Sequence, residues 1–222
     1  MLKPILFIPY VNREDLLSQA WDSVNQDFNV CVIDNSPRQD LDKVATRDYQ
    51  VYTPDIPLNF VYTQNLMLKL ANQMQVPYYG FMHNDGKAIG DTPKKLIEYA
   101  DNMIMMDEKF SVLFTYYDVL AIFNTDAFNV INGWSVYFNQ YYADSDTYRR
   151  LRLAGYPTID TGLPCEHYNK TDASATIQND PKRAFHNAVV SGMFARIYEL
   201  RWGGPNEHEK YLSPFNKGDL TI

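Results

Sequence analysis

Through its first half this chain alternates short apolar runs with amphipathic stretches of helical period, and that alternation restricts its fold more than any other feature. The runs are 5–8 (Ile-Leu-Phe-Ile), 29–33 (Asn-Val-Cys-Val-Ile), a short Val51-Tyr52 and 78–82 (Tyr-Tyr-Gly-Phe-Met). Between them, Leu16, Leu17, Ala20, Trp21 and Val24, and then Leu66, Met67, Leu70 and Met74, recur at the spacing of one helix face; Leu96, Ile97, Ala100 and Ile104 repeat the pattern after the fourth run. Asn12 is placed to cap the first helix, and Asp91 or Thr92, with Pro93 in the first turn, to start the third. Strands separated by helices pair through crossovers, so the sequence predicts a mostly parallel sheet covered on both faces, a three-layer α/β/α domain.

From residue 112 the pattern changes. Residues 112–115 and 119–124 read as two strands around a Tyr116-Tyr117-Asp118 turn, a small antiparallel addition to the sheet. A loop rich in Tyr and Phe opens at Gly133-Trp134, and Asp144-Ser145-Asp146 leads into a helix through Tyr148, Leu151 and Ala154 that stops at Gly155. The stretch 181–198 reads as a helix with Val189, Met193 and Ile197 inward. With 222 residues, 45% of them hydrophobic, one domain over 1–180 with a C-terminal helix and tail (181–222) packed on it is the economical division.

A net charge of −7 argues against a protein that grips long nucleic acid by phosphate contacts alone. Cys31 and Cys165 have neither metal-ligand nor disulfide-scaffold spacing, and the N-terminus lacks a signal-peptide pattern. The longest apolar run, 112–123, is too short to span a bilayer and is broken by Asp118, so a cytoplasmic protein with no membrane segment is expected.

The stretch 78–88 carries the chemistry. Its apolar run ends in His83-Asn84-Asp85-Gly86, which is how a buried strand reaches the carboxyl edge of a sheet, where open α/β folds keep their ligands. Asp85 there suits a hard cation, Mg²⁺ or Mn²⁺, that bridges to phosphate; the alternative is a plain Asn-Asp-Gly turn. Pro9-Tyr10-Val11-Asn12-Arg13 and Asp34-Asn35-Ser36-Pro37, at the ends of the first two strands, would lie side by side and form a crevice for a nucleotide, or else only cap the elements that follow. Near the C-terminus, Arg201-Trp202-Gly203-Gly204 reads either as a flap, with Arg201 reaching a diphosphate and Trp202 stacking on a sugar or acceptor, or as a tail packed on the sheet.

In order and spacing these pieces, together with the Asn59/Asn65 segment, Gly133-Trp134, Arg150, Gly155 and His167, resemble the family-two glycosyltransferases of GT-A (Rossmann-like) fold. The resemblance implies transfer of a sugar from a nucleotide donor, with Pro9, Tyr10, Arg13 and Asp34 on the base and ribose. A carboxylate accepts the imide proton of uracil, so Asp34 points to a UDP-sugar. It places Asn59, Asn65, Asn84 and Arg201 at the donor and Gly133, Trp134 and Trp202 toward the acceptor. Asp85 takes the second position of the family's Asp-x-Asp motif as metal ligand, and His167 falls where a late histidine joins it. The first motif aspartate is replaced by His83, which reads as structural, or as a support behind the ligands, and not as a ligand itself. Asp144 is the implied catalytic base, with Ala143 where glutamate is usual, and Asp146 a helix cap. Short transferases of this kind occur in tailed phages, where some glycosylate modified DNA bases, so a hydroxymethylated pyrimidine in DNA is one implied acceptor and a glycan another. Two rivals stand beside this reading. A nucleotidyltransferase would carry a Gly-rich, Lys- or Arg-bearing loop after the first strand, which is missing here; a nucleotide- or carbohydrate-binding protein without catalysis fits His83 and Ala143.

Overall fold

Alternate residues of the central strands are buried on opposite sides, as expected of a sheet covered on both faces. In β1 (Ile5–Tyr10), Ile5 and Phe7 belong to one core and Leu6, Ile8 and Tyr10 to the other. The next strand in space, β4 (Tyr78–Met82), divides the same way: Tyr79 and Phe81 on the first side, Tyr78 and Met82 on the second. Each such large side chain taken from water contributes about 1.5–3 kcal/mol, so the two strands fix the sheet between two apolar layers. The computed structural model describes residues 3–167 and 181–218.

Along the chain, β1 is followed by α1 (Glu14–Asp22), β2 (Asn29–Asp34), α2 (Leu41–Val44), β3 (Gln50–Tyr52), α3 (Phe60–Gln73), β4, β5 (Gly86–Ala88) and α4 (Thr92–Met105). The second half supplies β6 (Val112–Thr115), β7 (Tyr117–Asn124), α5 (Thr125–Val130), α6 (Ala143–Leu153), β8 (Thr158–Asp160), β9 (Cys165–His167) and α7 (Pro181–Trp202). Seven strands form one sheet in the order β3-β2-β1-β4-β7-β6-β8. Pairings from β3 through β4 and between β6 and β8 are parallel, while β7 runs antiparallel to both β4 and β6. A separate antiparallel pair, β5 with β9, sets Gly86 opposite His167; no periodicity in either segment announces it. Because the chain moves outward from β1 to β3 and then returns to the other side of β1, a crevice opens at the carboxyl ends of β1, β2 and β4.

Three expected helix details are corrected. The first helix is preceded by Arg13 in a left-handed conformation, with no side-chain cap from Asn12. Met74 and Ile104 are exposed, and Met103 is buried instead of Ile104. On α7 the inward face is Phe194, Tyr198 and Trp202, whereas Val189 and Met193 face outward; one residue of rotation buries three aromatic rings in place of smaller side chains. Among the described residues no helix is long and apolar enough to cross a membrane.

Candidate active site

At the crevice, β1 and β2 end in register, Tyr10 beside Asp34. The Asn35 amide donates to the Tyr10 carbonyl (2.8 Å), and Asn84, buried at the end of β4, donates to the Asn12 carbonyl (3.0 Å), tying the loops after β1, β2 and β4 together. Asp34 is buried in its own loop, accepting from the amides of Ser36 (2.9 Å) and Leu41 (3.0 Å). A base that reached this carboxylate would share it with those amides. Arg13 stands at the rim, held in a fork by Asp15 at 2.8 and 2.6 Å.

A second group forms where β4 turns into β5. The turn closes with the Gly86 amide on the His83 carbonyl (3.0 Å), and a Cβ at Gly86 would stand 2.7 Å from Val119 Cγ1, so only glycine lets β5 cross β7 this closely. Asp85 Oδ1 lies 3.2 Å from His167 Nε2, brought across by the β5/β9 pair, and 3.9 Å from His83 Nδ1. The His83 and His167 rings meet edge to face, centroids 5.2 Å apart. Behind His83 is Asp118, 4% exposed: its Oδ1 is 3.7 Å from His83 Nε2 and its Oδ2 accepts from the Tyr148 hydroxyl (3.2 Å). Burial raises the Asp118 carboxyl above its usual range, an effect opposed by His83 and reinforced by Asp144. A register shift after Phe114 and a left-handed Tyr117 (φ 50°) re-aim the start of β7, and the Tyr117 hydroxyl donates to Asp144 at 2.5 Å. Burial and the Asp144 carboxylate together push the Tyr117 phenol up. Asp85, His83, Asp118 and Tyr148 thus form a run of polar neighbours, and the Tyr117–Asp144 pair lies near enough for its carboxylate to act on Asp118. His83, expected from sequence to be structural or to support the ligands from behind, sits inside this run. Asp118 was visible only as a charge interrupting an apolar run, and that interruption was the available signal.

Other expected site residues serve the fold. Asn59 caps α3 by accepting from the Tyr62 amide (2.9 Å). Asn65 clamps the Trp134 backbone from both sides, accepting from its amide (2.8 Å) and donating to its carbonyl (3.0 Å). Gly133 has φ 74° and its Cβ would come within 2.5 Å of Asn65 Oδ1, while the Trp134 indole is buried among Phe60, Phe123, Phe128 and Tyr148, so neither faces an acceptor. The flap reading of Arg201 and Trp202 is also corrected. Both are buried in the last turn of α7, where Arg201 Nε (2.7 Å) and Trp202 Nε1 (2.9 Å) donate to Asp146 Oδ1. The following Gly203-Gly204 folds the tail back, with the Lys210 and Tyr211 amides on the Trp202 carbonyl. Asp146 caps nothing by its side chain; it also takes Arg150 Nε at 3.0 Å and is fully buried.

Donor chemistry tests whether a metal fits here. One carboxylate oxygen and two imidazole nitrogens, from Asp85, His83 and His167, lie within 4.8 Å of one another, close enough for one ion to draw them together. Two nitrogens in the set suit a first-row transition ion such as Mn²⁺ better than Mg²⁺, which favours oxygen. The residues present fit a divalent ion.

No protein-family profile and no curated protein sequence matches the chain. Solved structures do. S. aureus TarS shares the fold at TM-score 0.51 and 12% identity over 74% of this chain, which spans only 36% of that longer protein. A shorter TarS structure in complex with UDP-GlcNAc gives TM-score 0.50 and 14% identity, covering 90% of this chain and 73% of the other. A Bacillus anthracis protein assigned as a glucose-1-phosphate thymidylyltransferase, in complex with sucrose, gives 0.52 at 10% identity, over 86% of this chain and 96% of its own. The fold is therefore GT-A-like, shared with a protein solved in complex with UDP-GlcNAc and with one assigned as a nucleotidyltransferase.

Proposed function

We propose that this chain is a metal-dependent inverting glycosyltransferase that moves a sugar from a UDP-sugar to an acceptor hydroxyl. The observation supporting this most is the convergence of His83, Asp85 and His167 on one sheet edge, with Asp118 behind His83 and the Asp144 carboxylate near enough to help raise the Asp118 carboxyl. In the reaction, the acceptor oxygen bonds the anomeric carbon as the bond from that carbon to the diphosphate breaks. UDP leaves with the electron pair, and the acceptor proton passes to the Asp144 carboxylate. A divalent ion at the His/Asp/His group, when bound, offsets the charge that grows on the diphosphate. Tyr117 keeps the Asp144 carboxylate in place. The loops carrying Tyr10, Arg13, Asp34 and Asn84 line the crevice where the nucleoside would lie. Within this reading the acceptor is a hydroxyl on a glycan or on a hydroxymethylated base.

The nucleotidyltransferase alternative shares the fold, but the loop after β1 is Val11-Asn12-Arg13, without the glycines that would wrap a triphosphate. Incubation with UDP-sugars and Mn²⁺ distinguishes these readings: release of free UDP that chelation stops supports glycosyl transfer, and pyrophosphate-linked exchange with no UDP release contradicts it.

A further inference from the structure

Resting on the proposed ion site, we infer that Asp118 is the positioning carboxylate of His83: it holds the Nε2–H edge of the ring and so turns Nδ1 toward Asp85 and His167, making His83 a metal ligand. Both ring nitrogens face carboxylates, Nε2 at 3.7 Å from Asp118 and Nδ1 at 3.9 Å from Asp85. His83 Nε2 is buried with no hydrogen-bond partner, although a polar atom without one is expensive in such surroundings, and the Asp118 carboxylate stands 3.7 Å from it. Asp118 is itself fixed, buried on β7 with its second oxygen on the Tyr148 hydroxyl. A histidine that donates one ring N–H to a carboxylate and ligates through the other nitrogen is the common second-sphere pattern of metal sites, and loss of that partner typically weakens metal affinity about 10- to 100-fold. The ion-binding triad then takes one ligand, His83, from the end of β4 and that ligand's supporting carboxylate from the neighbouring strand β7.

The test uses the full chain with Mn²⁺ alone, read by calorimetry and by pulsed electron paramagnetic resonance of coupled ¹⁴N. The wild type is expected to show two imidazole couplings, and His83→Ala one. Asp118→Asn should lose affinity by about 10- to 100-fold and weaken the His83 coupling, with its melting temperature unchanged. A wild type with a single coupling, or an Asp118→Asn variant with affinity and couplings intact, overturns the inference while leaving the ion site standing. Absence of Mn²⁺ binding by the wild type, or binding untouched by Asp85→Ala, overturns the site and the inference with it. Should Asp118→Asn fail to fold, ¹⁵N shifts of the metal-free wild type still decide, at a pH where the ring is neutral: an Nε2–H tautomer at His83 supports the inference and an Nδ1–H tautomer overturns it.

Discussion

Asp144 and Asp85 have separable tasks in the proposed reaction, one moving a proton and the other holding the donor's counter-ion. Asp144→Asn keeps the shape and the Tyr117 contact but cannot take a proton, so UDP release should fall by about 10²- to 10⁴-fold while UDP binding by calorimetry stays unchanged. The two thiols give a second check at this scale. Burial pushes both Cys31 and Cys165 up to about 11, so near neutral pH each is held as a thiol. Labelling by a thiol reagent at pH 8 should be slow for the native protein and complete within mixing once denaturant is added. Asp85, Asp34 and Tyr10 could be found from sequence because each follows an apolar run that must end at a sheet edge. Asp118 could not be assigned that way: its partner His83 is 35 positions away, and only the antiparallel return of β7 beside β4 brings them together.

At the scale of elements, Asp146 links α6 to α7 by accepting from Arg150, Arg201 and Trp202 with no exposure to water. Asp146→Ala leaves two guanidinium groups buried without their anion and should cost about 3–5 kcal/mol in chemical denaturation. At Gly86, alanine would drive a methyl into Val119 under the turn that carries Asp85, so Gly86→Ala should lose about 1–3 kcal/mol and also any metal-dependent ligand response. The Arg201-Trp202-Gly203-Gly204 segment shows why sequence misleads here. Arginine, tryptophan and paired glycines describe a mobile binding flap and a tight, buried turn equally well. What separates them is whether a carboxylate waits inside, and Asp146, near the start of its helix, reads from sequence as a cap. The same limit applies to α7, where two helical faces one residue apart are both apolar and the choice falls to their packing partners, Phe138 and Tyr142 ahead of α6 and Asp146 on it.

For the whole molecule, the strand and helix alternation was legible because buried parallel strands must be apolar on both faces, and β1 beside β2 follows from the crossover between them; the return of β4 to the other side of β1 does not follow from the pattern. The pairing of β9 with β5 was not, since three-residue strands carry no periodicity; it nonetheless delivers His167 to Asp85. The fold is shared with a protein solved in complex with UDP-GlcNAc and with one assigned as a nucleotidyltransferase, so an activity has to be inferred from the site. The most direct measurement is the melting temperature of the intact chain across a panel of nucleoside diphosphates and nucleotide sugars, each with and without Mn²⁺, since a ligand that binds only the folded state raises it. A rise with UDP or a UDP-sugar that requires Mn²⁺ and vanishes in Asp85→Ala is the expected result. A melting temperature that no nucleotide moves, with or without the ion, would contradict the transferase reading and leave His83, Asp85 and His167 as a structural cluster.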